Sequence, residues 1–187
     1  MAVKFKTVQD VLLFEYAQLI ADAAVYGRAD QSPVVRRGDK YWGFVTTAYR
    51  KLSAGDISPS TILRENKLLV ANGMECAYCG VTEKLQWEHI IPRSRRGPDT
   101  IDNLALSCSK CNGQKAALNP VEWYQARGLK RKAIPRLVMG KLIKLVIEEH
   151  KRCGTLGLAE FPSGLGLTVV GACLIFDRSG EVVLIPN

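Results

Sequence analysis

Two close pairs of cysteines are the residues of this sequence best suited to hold a metal ion. Cys76 and Cys79 are separated by two residues, and so are Cys108 and Cys111. Each short turn can aim two thiolates at one ion, and four thiolates saturate tetrahedral zinc without leaving a position for water. The spacing therefore predicts a structural zinc ion that supplies folding free energy to a segment poor in regular structure.

A histidine between the two cysteine pairs is the candidate for proton transfer. His89 directly follows Glu88, and the chain has one other histidine, His150, near the end of a predicted helix. Because histidine exchanges a proton near neutral pH, His89 could be the general base that activates a water molecule. The alternatives for His89 are a buried, hydrogen-bonded imidazole and a further zinc ligand. His150 is expected to interact with a helix C-terminus.

The stretch between the cysteine pairs is longer than a zinc site requires. It contains 28 residues, whereas a simple zinc ribbon has about 15 to 20. The motifs that follow one another here are Glu88-His89-Ile90-Ile91-Pro92, Arg93-Ser94-Arg95-Arg96-Gly97, Asp102-Asn103-Leu104 and Cys108-Ser109-Lys110-Cys111-Asn112. This series resembles the HNH endonuclease family, in its variant with a four-cysteine zinc knuckle. The resemblance covers roughly Cys76 to Lys115.

The resemblance implies a ββα-metal fold, in which a hairpin and a helix hold one divalent cation against a phosphate. It makes His89 the general base and Glu88 and Asn112 the ligands of a catalytic Mg²⁺ or Mn²⁺ ion, although many family members carry Asp at the position of Glu88. It also implies that Asn103 braces the loop that orients the base. Because side chains alternate along a strand, local bending would have to bring Glu88 and His89 to the same phosphate. On the residues alone, Glu88 could be a surface acid, Asn112 a helix N-cap and Asn103 a turn residue.

Basic residues cluster in the same part of the chain. The net charge is +8, and residues 93–136 contain ten Lys and Arg against three Asp and Glu. Such a surface favours a polyanionic partner, although contacts to phosphates carry little sequence information. The expected contacts to DNA, with weak sequence preference, are Arg93, Arg95, Arg96, Lys110 and Lys115. The alternative is a solvated basic face. Trp87, Trp123 and Tyr124 could stack on bases or pack in the core.

Periodicity and capping residues predict the remaining elements. Helices are expected from Thr7 to about Gly27, from about Tyr41 to Ser53, from Ser58 to about Ala71, from Asn112 onward, from Asn119 to Gly128 and from Pro135 to about Arg152. Strands are expected at Leu85 to Ile91 and Leu104 to Ser107, and a terminal β-hairpin at Leu167 to Phe176 and Glu181 to Ile185.

These elements predict an α+β protein with three parts. Residues 1–72 would form a helical N-terminal segment, residues 73–130 the HNH core with its zinc knuckle, and residues 131–187 a C-terminal helix and β-hairpin. The apolar stretch from Phe161 to Phe176 is shorter than the roughly 20 residues of a membrane-spanning helix. The N-terminus lacks the pattern of a secretory signal. We therefore expect a cytoplasmic protein without a membrane partner.

The expected function is that of a metal-dependent DNA endonuclease. It would hydrolyse phosphodiester bonds by nicking or by double-strand cleavage, with His89 activating water and one Mg²⁺ or Mn²⁺ ion on the scissile phosphate. The alternative is a non-catalytic, zinc-stabilised module that binds nucleic acid. The sequence leaves open whether two copies form a homodimer.

Overall fold

Two helices form the N-terminal part of the structure. The computed structural model describes residues 5–26, 38–59, 75–161, 164 and 166–176. Helix α1 spans Val8–Tyr26, helix α2 spans Asp39–Ala54, and the two pack against each other. Both confirm the helices predicted there. The helix predicted from Ser58 to about Ala71 lies, from residue 60 onward, outside the described residues.

Local sequence explains where these two helices begin and end. Thr7 and Asp10 cap α1 reciprocally, because Asp10 N–H donates to Thr7 Oγ1 (3.2 Å) and Thr7 N–H donates to Asp10 Oδ2 (3.1 Å). Gly55 follows α2 in the left-handed conformation, with φ at 80°. Glycine adopts this conformation without a side-chain clash, so Gly55 is a natural stop.

A short hairpin and a helix form the middle of the chain. Strand β1 spans Leu85–His89, strand β2 spans Leu104–Cys108, and helix α3 spans Ser109–Lys115. The strands are antiparallel, with Leu85 opposite Cys108. The order is the predicted β-β-α, although β1 ends before Ile91 and α3 begins before Asn112.

Two helices follow β1, β2 and α3, which together are called the hairpin unit, and they confirm the predictions made for them. Helix α4 spans Pro120–Ala126 and helix α5 spans Arg136–Arg152. Asn119 caps α4 in a capping box with Glu122. Helix α5 packs on α1 and on the turn that precedes β2. It therefore links the N-terminal helices to the hairpin unit.

The predicted C-terminal β-hairpin is wrong where the structure describes it. Residues Val169–Cys173 form a helix, α6, and a 3-10 turn follows at Leu174–Phe176. Thr168 Oγ1 caps α6 by accepting from Gly171 N–H (3.1 Å). From Val169 to Phe176 the sequence has no charged or hydrogen-bonding side chain apart from Cys173, so no polar period separates a buried strand from a buried helix, and the tertiary contacts decide. The second predicted strand, Glu181 to Ile185, lies outside the described residues.

One hydrophobic cluster connects these elements. It includes buried side chains of α1, α2, the hairpin unit, α4, α5 and α6. The helices and the two-stranded antiparallel sheet confirm the α+β class. The three-part division at residues 72 and 130 stays a prediction. Among the described residues, none of the helices combines the length and the apolar character needed to cross a lipid bilayer.

Candidate functional site

The four paired cysteines converge on one point. The Sγ atoms of Cys76, Cys79, Cys108 and Cys111 all lie within 4.8 Å of one another. Cys79 Sγ is 3.8 Å from Cys108 Sγ. A tetrahedral zinc ion with Zn–S distances of about 2.3 Å would separate its sulfurs by about 3.8 Å. The cluster is therefore consistent with the predicted zinc site.

Two tight turns hold the cysteines in place. In the first, the Cys76 carbonyl accepts from Gly80 N–H (2.9 Å). In the second, Cys108 is the N-cap of α3, and its Sγ accepts from Cys111 N–H (3.4 Å). Burial raises the pKa of Cys76, but backbone hydrogen bonds outweigh burial and lower this pKa to about 7. The lowered pKa favours the thiolate, which is the form that binds zinc.

Glu88 lies on the buried face of β1, against α3. Its side chain is 2% exposed, and its Oε2 atom is 2.9 Å from the Nζ atom of Lys115, whose side chain is 1% exposed. The Tyr78 hydroxyl donates to Oε1 of the same carboxylate. Burial, followed by the negative charge of Glu88, raises the pKa of Tyr78. Both oxygens of Glu88 are therefore engaged by neighbouring side chains.

His89 has its side-chain contact with a different residue. The imidazole is 24% exposed, and its Nε2 atom is 2.9 Å from Oδ1 of Asp99, which is 64% exposed. Asp99 Oδ2 is also 3.9 Å from Arg93 Nη1. The hydrogen bond with His89 and then the charge of Arg93 lower the pKa of Asp99. Asp99 is thus ionised at neutral pH and can hold the ring in one orientation.

The side chains of Glu88 and His89 do not share a partner. Glu88 contacts Lys115 and Tyr78, whereas His89 contacts Asp99. This separation is what alternation along a regular strand produces. The pairing of β1 with β2 is continuous from Leu85 to His89.

The loop between the strands is fastened by Asn103. Its side chain is fully buried; Oδ1 accepts from Ile91 N–H (2.8 Å), and Nδ2 donates to the carbonyls of Ile91 (2.9 Å) and Pro98 (2.8 Å). A Cβ atom at Gly97 would lie 1.9 Å from the Ile91 carbonyl oxygen, so this position requires glycine. These contacts are of the bracing kind that the resemblance implies for Asn103. They fix the backbone next to Asp99.

The structure separates the predicted DNA-contacting residues into two groups. Arg93 and Lys110 have exposed side chains. Arg95 instead donates to Glu122 (2.7 Å), and Arg96 donates to the carbonyl of residue 175 (3.0 Å). Lys115 is buried in its ion pair, which corrects the prediction that it contacts DNA. The prediction depended on the place of Lys115 in the basic cluster, which does not show that its side chain is buried.

The remaining candidates are placed as follows. Asn112 is half-buried on α3, and its N-cap alternative is wrong because Cys108 is the cap. Trp123 and Tyr124 are buried and belong to the core, as their alternative interpretation holds. Trp87 is 49% exposed on β1. Of the three aromatic residues, Trp87 is therefore the one that is accessible for stacking on a base.

His150 has a structural environment. It is buried; its Nε2 atom donates to the Ala172 carbonyl (3.0 Å), and its Nδ1 atom is 2.8 Å from Thr155 Oγ1. Burial lowers the pKa of His150. Both hydrogen-bond partners of the ring lie outside α5, and one of them, the Ala172 carbonyl, is in the last turn of α6. The ring joins α5 to α6.

The comparison with protein families agrees with this geometry. Residues 76–117 match the family model described as HNH endonuclease. These residues form an HNH domain. The domain includes both cysteine pairs, β1, β2 and α3, whereas α1, α2, α4, α5 and α6 lie outside the match. No curated protein and no solved structure matches the chain.

Two residues of the HNH domain's site were missed by sequence reasoning. Asp99 lies ten positions after His89 in a Gly-Pro-Asp turn, and Tyr78 lies between the first two cysteines. A carboxylate in a turn and an aromatic residue in a knuckle both have ordinary structural explanations. Their contacts depend on how the loop folds back, which no local spacing reveals.

Proposed function

We propose that the HNH domain hydrolyses phosphodiester bonds in DNA, by nicking or by cutting both strands, with His89 as the general base. The observation that carries this proposal is the partly exposed imidazole at the end of β1, hydrogen-bonded through Nε2 to Asp99. A base that is exposed to solvent and held in one orientation is what activation of a water molecule requires. The family match supports a nuclease-type function.

The His89–Asp99 pair defines which ring nitrogen does the work. When Nε2–H donates to the carboxylate, Nδ1 carries the lone pair that accepts the proton from water. The hydroxide oxygen then bonds to phosphorus, and the bond to the 3′ oxygen breaks. The products are a 5′-phosphate and, after the leaving oxygen takes a proton from solvent, a 3′-hydroxyl. The carboxylate of Asp99 stabilises the imidazolium that forms.

The proposal includes Mg²⁺ or Mn²⁺, because HNH nucleases generally use a divalent metal. Glu88 does not fit the role of its ligand in the arrangement found here. Its two oxygens are engaged by Lys115 and Tyr78, and its side chain is buried. We therefore assign no step of the reaction to a cation held by Glu88 and Asn112.

Phosphate binding is proposed for two exposed basic residues of the HNH domain. Arg93 lies four positions after the last residue of β1, and Lys110 lies in the first turn of α3. Both can contact the DNA backbone, which gives affinity with weak sequence preference. The homodimer considered from the sequence finds no support in the comparisons and is not part of this proposal.

A plasmid assay tests the proposal. Supercoiled plasmid is incubated with zinc-loaded protein and Mg²⁺, Mn²⁺ or EDTA, and the nicked and linear forms are resolved on a gel. We expect cleavage by the wild type and binding without cleavage by His89→Ala, with zinc content and circular dichroism showing that the variant is folded. Wild-type protein that binds DNA but stays inert with every divalent cation would favour the non-catalytic zinc module.

A further inference from the structure

The buried ion pair between Glu88 and Lys115 carries a conclusion of its own. We infer that the Lys115 ammonium is the permanent cation of Glu88, so that this carboxylate fastens β1 to α3 and does not bind a divalent metal ion. The inference rests on the ion pair and not on the proposed nuclease activity. It gives Glu88 and Lys115 a positioning role in place of a ligand role and a DNA-binding role.

The contacts of the carboxylate leave it no need for another cation. Lys115 Nζ lies 2.9 Å from Oε2, and the Tyr78 hydroxyl donates to Oε1. A buried carboxylate requires a compensating charge and hydrogen bonds to both oxygens. The ammonium supplies the charge and the tyrosine supplies the second hydrogen bond. The three groups therefore form a closed set within the HNH domain.

A divalent cation at Glu88 would have to displace this ammonium. Lys115 is 1% exposed, so its Nζ atom would have to leave a buried position to make room for the ion. A metal ion bound beside a retained ammonium would instead meet its positive charge at close range in a medium of low dielectric constant. Either arrangement opposes metal binding at this carboxylate.

The same ammonium also fixes the end of β1. Lys115 Nζ donates to the carbonyl oxygen of His89 at 2.9 Å. Lys115 is the last residue of α3, and Glu88 and His89 are the last two residues of β1. One side chain thus joins the helix to the strand end that presents the imidazole. This contact makes Lys115 a positioning residue for His89.

The wild-type protein can test the inference directly by NMR. A buried, hydrogen-bonded lysine ammonium exchanges slowly enough with water to give its own ¹H–¹⁵N signal. We expect the signal of Lys115, assigned by its loss in Lys115→Met, to keep its position while Mg²⁺ is added to zinc-loaded protein without DNA. A saturable shift or loss of this signal, with the domain still folded, would show that the metal displaces the ammonium and would overturn the inference.

Binding of Mn²⁺, followed by the electron paramagnetic resonance of the free ion, provides a second measurement. Glu83→Gln is the matched control, because Glu83 is exposed within the same domain. We expect Glu88→Gln to change the dissociation constant for Mn²⁺ no more than this control does. A loss of about 10-fold or more in Glu88→Gln alone would identify Glu88 as a metal ligand and refute the inference.

A double variant keeps the test valid if a single variant fails to fold. Glu88→Gln/Lys115→Met removes both charges, so neither is left buried without its partner. We expect the double variant to bind Mn²⁺ like the wild type. In Lys115→Met alone the Glu88 carboxylate has lost its ammonium partner, so this variant should bind Mn²⁺ at least about 10-fold more tightly. Equal affinity of the wild type and Lys115→Met would contradict the inference. None of these readouts depends on cleavage, so they are separate from the test of the proposed function.

Discussion

The Nε2 atom of His89 is hydrogen-bonded at 2.9 Å to a carboxylate oxygen of Asp99, which lies in the loop that joins the two strands of the HNH domain. The loop is fastened at Asn103 and passes closely over Ile91 at Gly97. The orientation of the imidazole therefore depends on residues that are remote from it in sequence. This dependence leads to predictions for the loop as well as for the histidine.

Replacing Asp99 should slow cleavage more than it weakens DNA binding. Asp99→Ala removes the acceptor that holds Nε2–H, and we expect kcat to fall by about 10- to 100-fold with little change in KM. Asp99→Asn keeps an acceptor oxygen and should lie between the wild type and Asp99→Ala. Steady-state cleavage of a labelled oligonucleotide duplex measures both constants.

The tautomer of His89 gives an independent readout for Asp99. Long-range ¹H–¹⁵N correlation spectra distinguish the two neutral forms of each ring. His150 is the internal control, because its Nε2–H donates to the Ala172 carbonyl. Asp99→Ala should shift the His89 signals toward a mixture of tautomers and leave those of His150 in place. Unchanged His89 signals together with unchanged kcat would reject the positioning role.

The loop should not accept a side chain at residue 97. Gly97→Ala places a Cβ atom 1.9 Å from the Ile91 carbonyl oxygen and 2.9 Å from Asn103 Nδ2. Since backbone and a buried amide are in the way, we expect a loss of about 1–3 kcal/mol in the free energy of unfolding. Chemical denaturation measures it.

Gly113→Ala is the matched control for Gly97→Ala. Gly113 lies in α3, and a Cβ atom there meets nothing within 4 Å. The same substitution should therefore be neutral or stabilise the protein by up to about 1 kcal/mol, because alanine favours the helix. Equal losses in the two variants would mean that the close approach at Gly97 is not what constrains the loop.

Sequence reasoning succeeded where one local pattern determines the structure. The period of α1, the Thr7–Asp10 cap and the two cysteine spacings each specify a short-range arrangement, and the structure contains all of them. The alternation in β1 likewise follows from strand geometry. For such features the residues that make the contact are themselves close in the chain.

The features that sequence reasoning missed depend on contacts between distant segments. In the sequence, nothing distinguishes Lys115 from the other residues of the basic cluster. Only the packing of α3 on β1 buries it in an ion pair with Glu88. The apolar composition of residues 167–176 predicts a strand. In the structure, the hydrogen bond from His150 to Ala172 and the Thr168 cap stabilise a helix there. In both cases burial changes what the same residue types do, and burial is a property of the fold.

Removal of zinc and removal of the divalent cation proposed for catalysis should have different effects. EDTA at modest concentration should stop cleavage before the protein unfolds, because four thiolates bind zinc far more tightly than oxygen ligands and water bind Mg²⁺. Cys79→Ser should lower the zinc content and the midpoint of thermal unfolding. Cys153→Ser is the control, because Cys153 is outside the cluster. Loss of fold and of activity at one chelator concentration would argue against two separate sites.

DNA affinity should depend on Arg93 and Lys110, whose side chains are exposed, and not on Arg95, which is partly buried in its pair with Glu122. Arg93→Ala and Lys110→Ala each remove one proposed phosphate contact. Each should therefore weaken binding uniformly across sequences and reduce the slope of log affinity against log salt concentration by about one. Arg95 is the control, because its guanidinium is paired with Glu122 (2.7 Å). Arg95→Ala should lower stability while leaving the slope of binding against salt unchanged. Fluorescence anisotropy of labelled duplexes over a salt series measures these slopes, and an equal reduction in all three variants would show that the pairing of Arg95 does not withhold it from DNA.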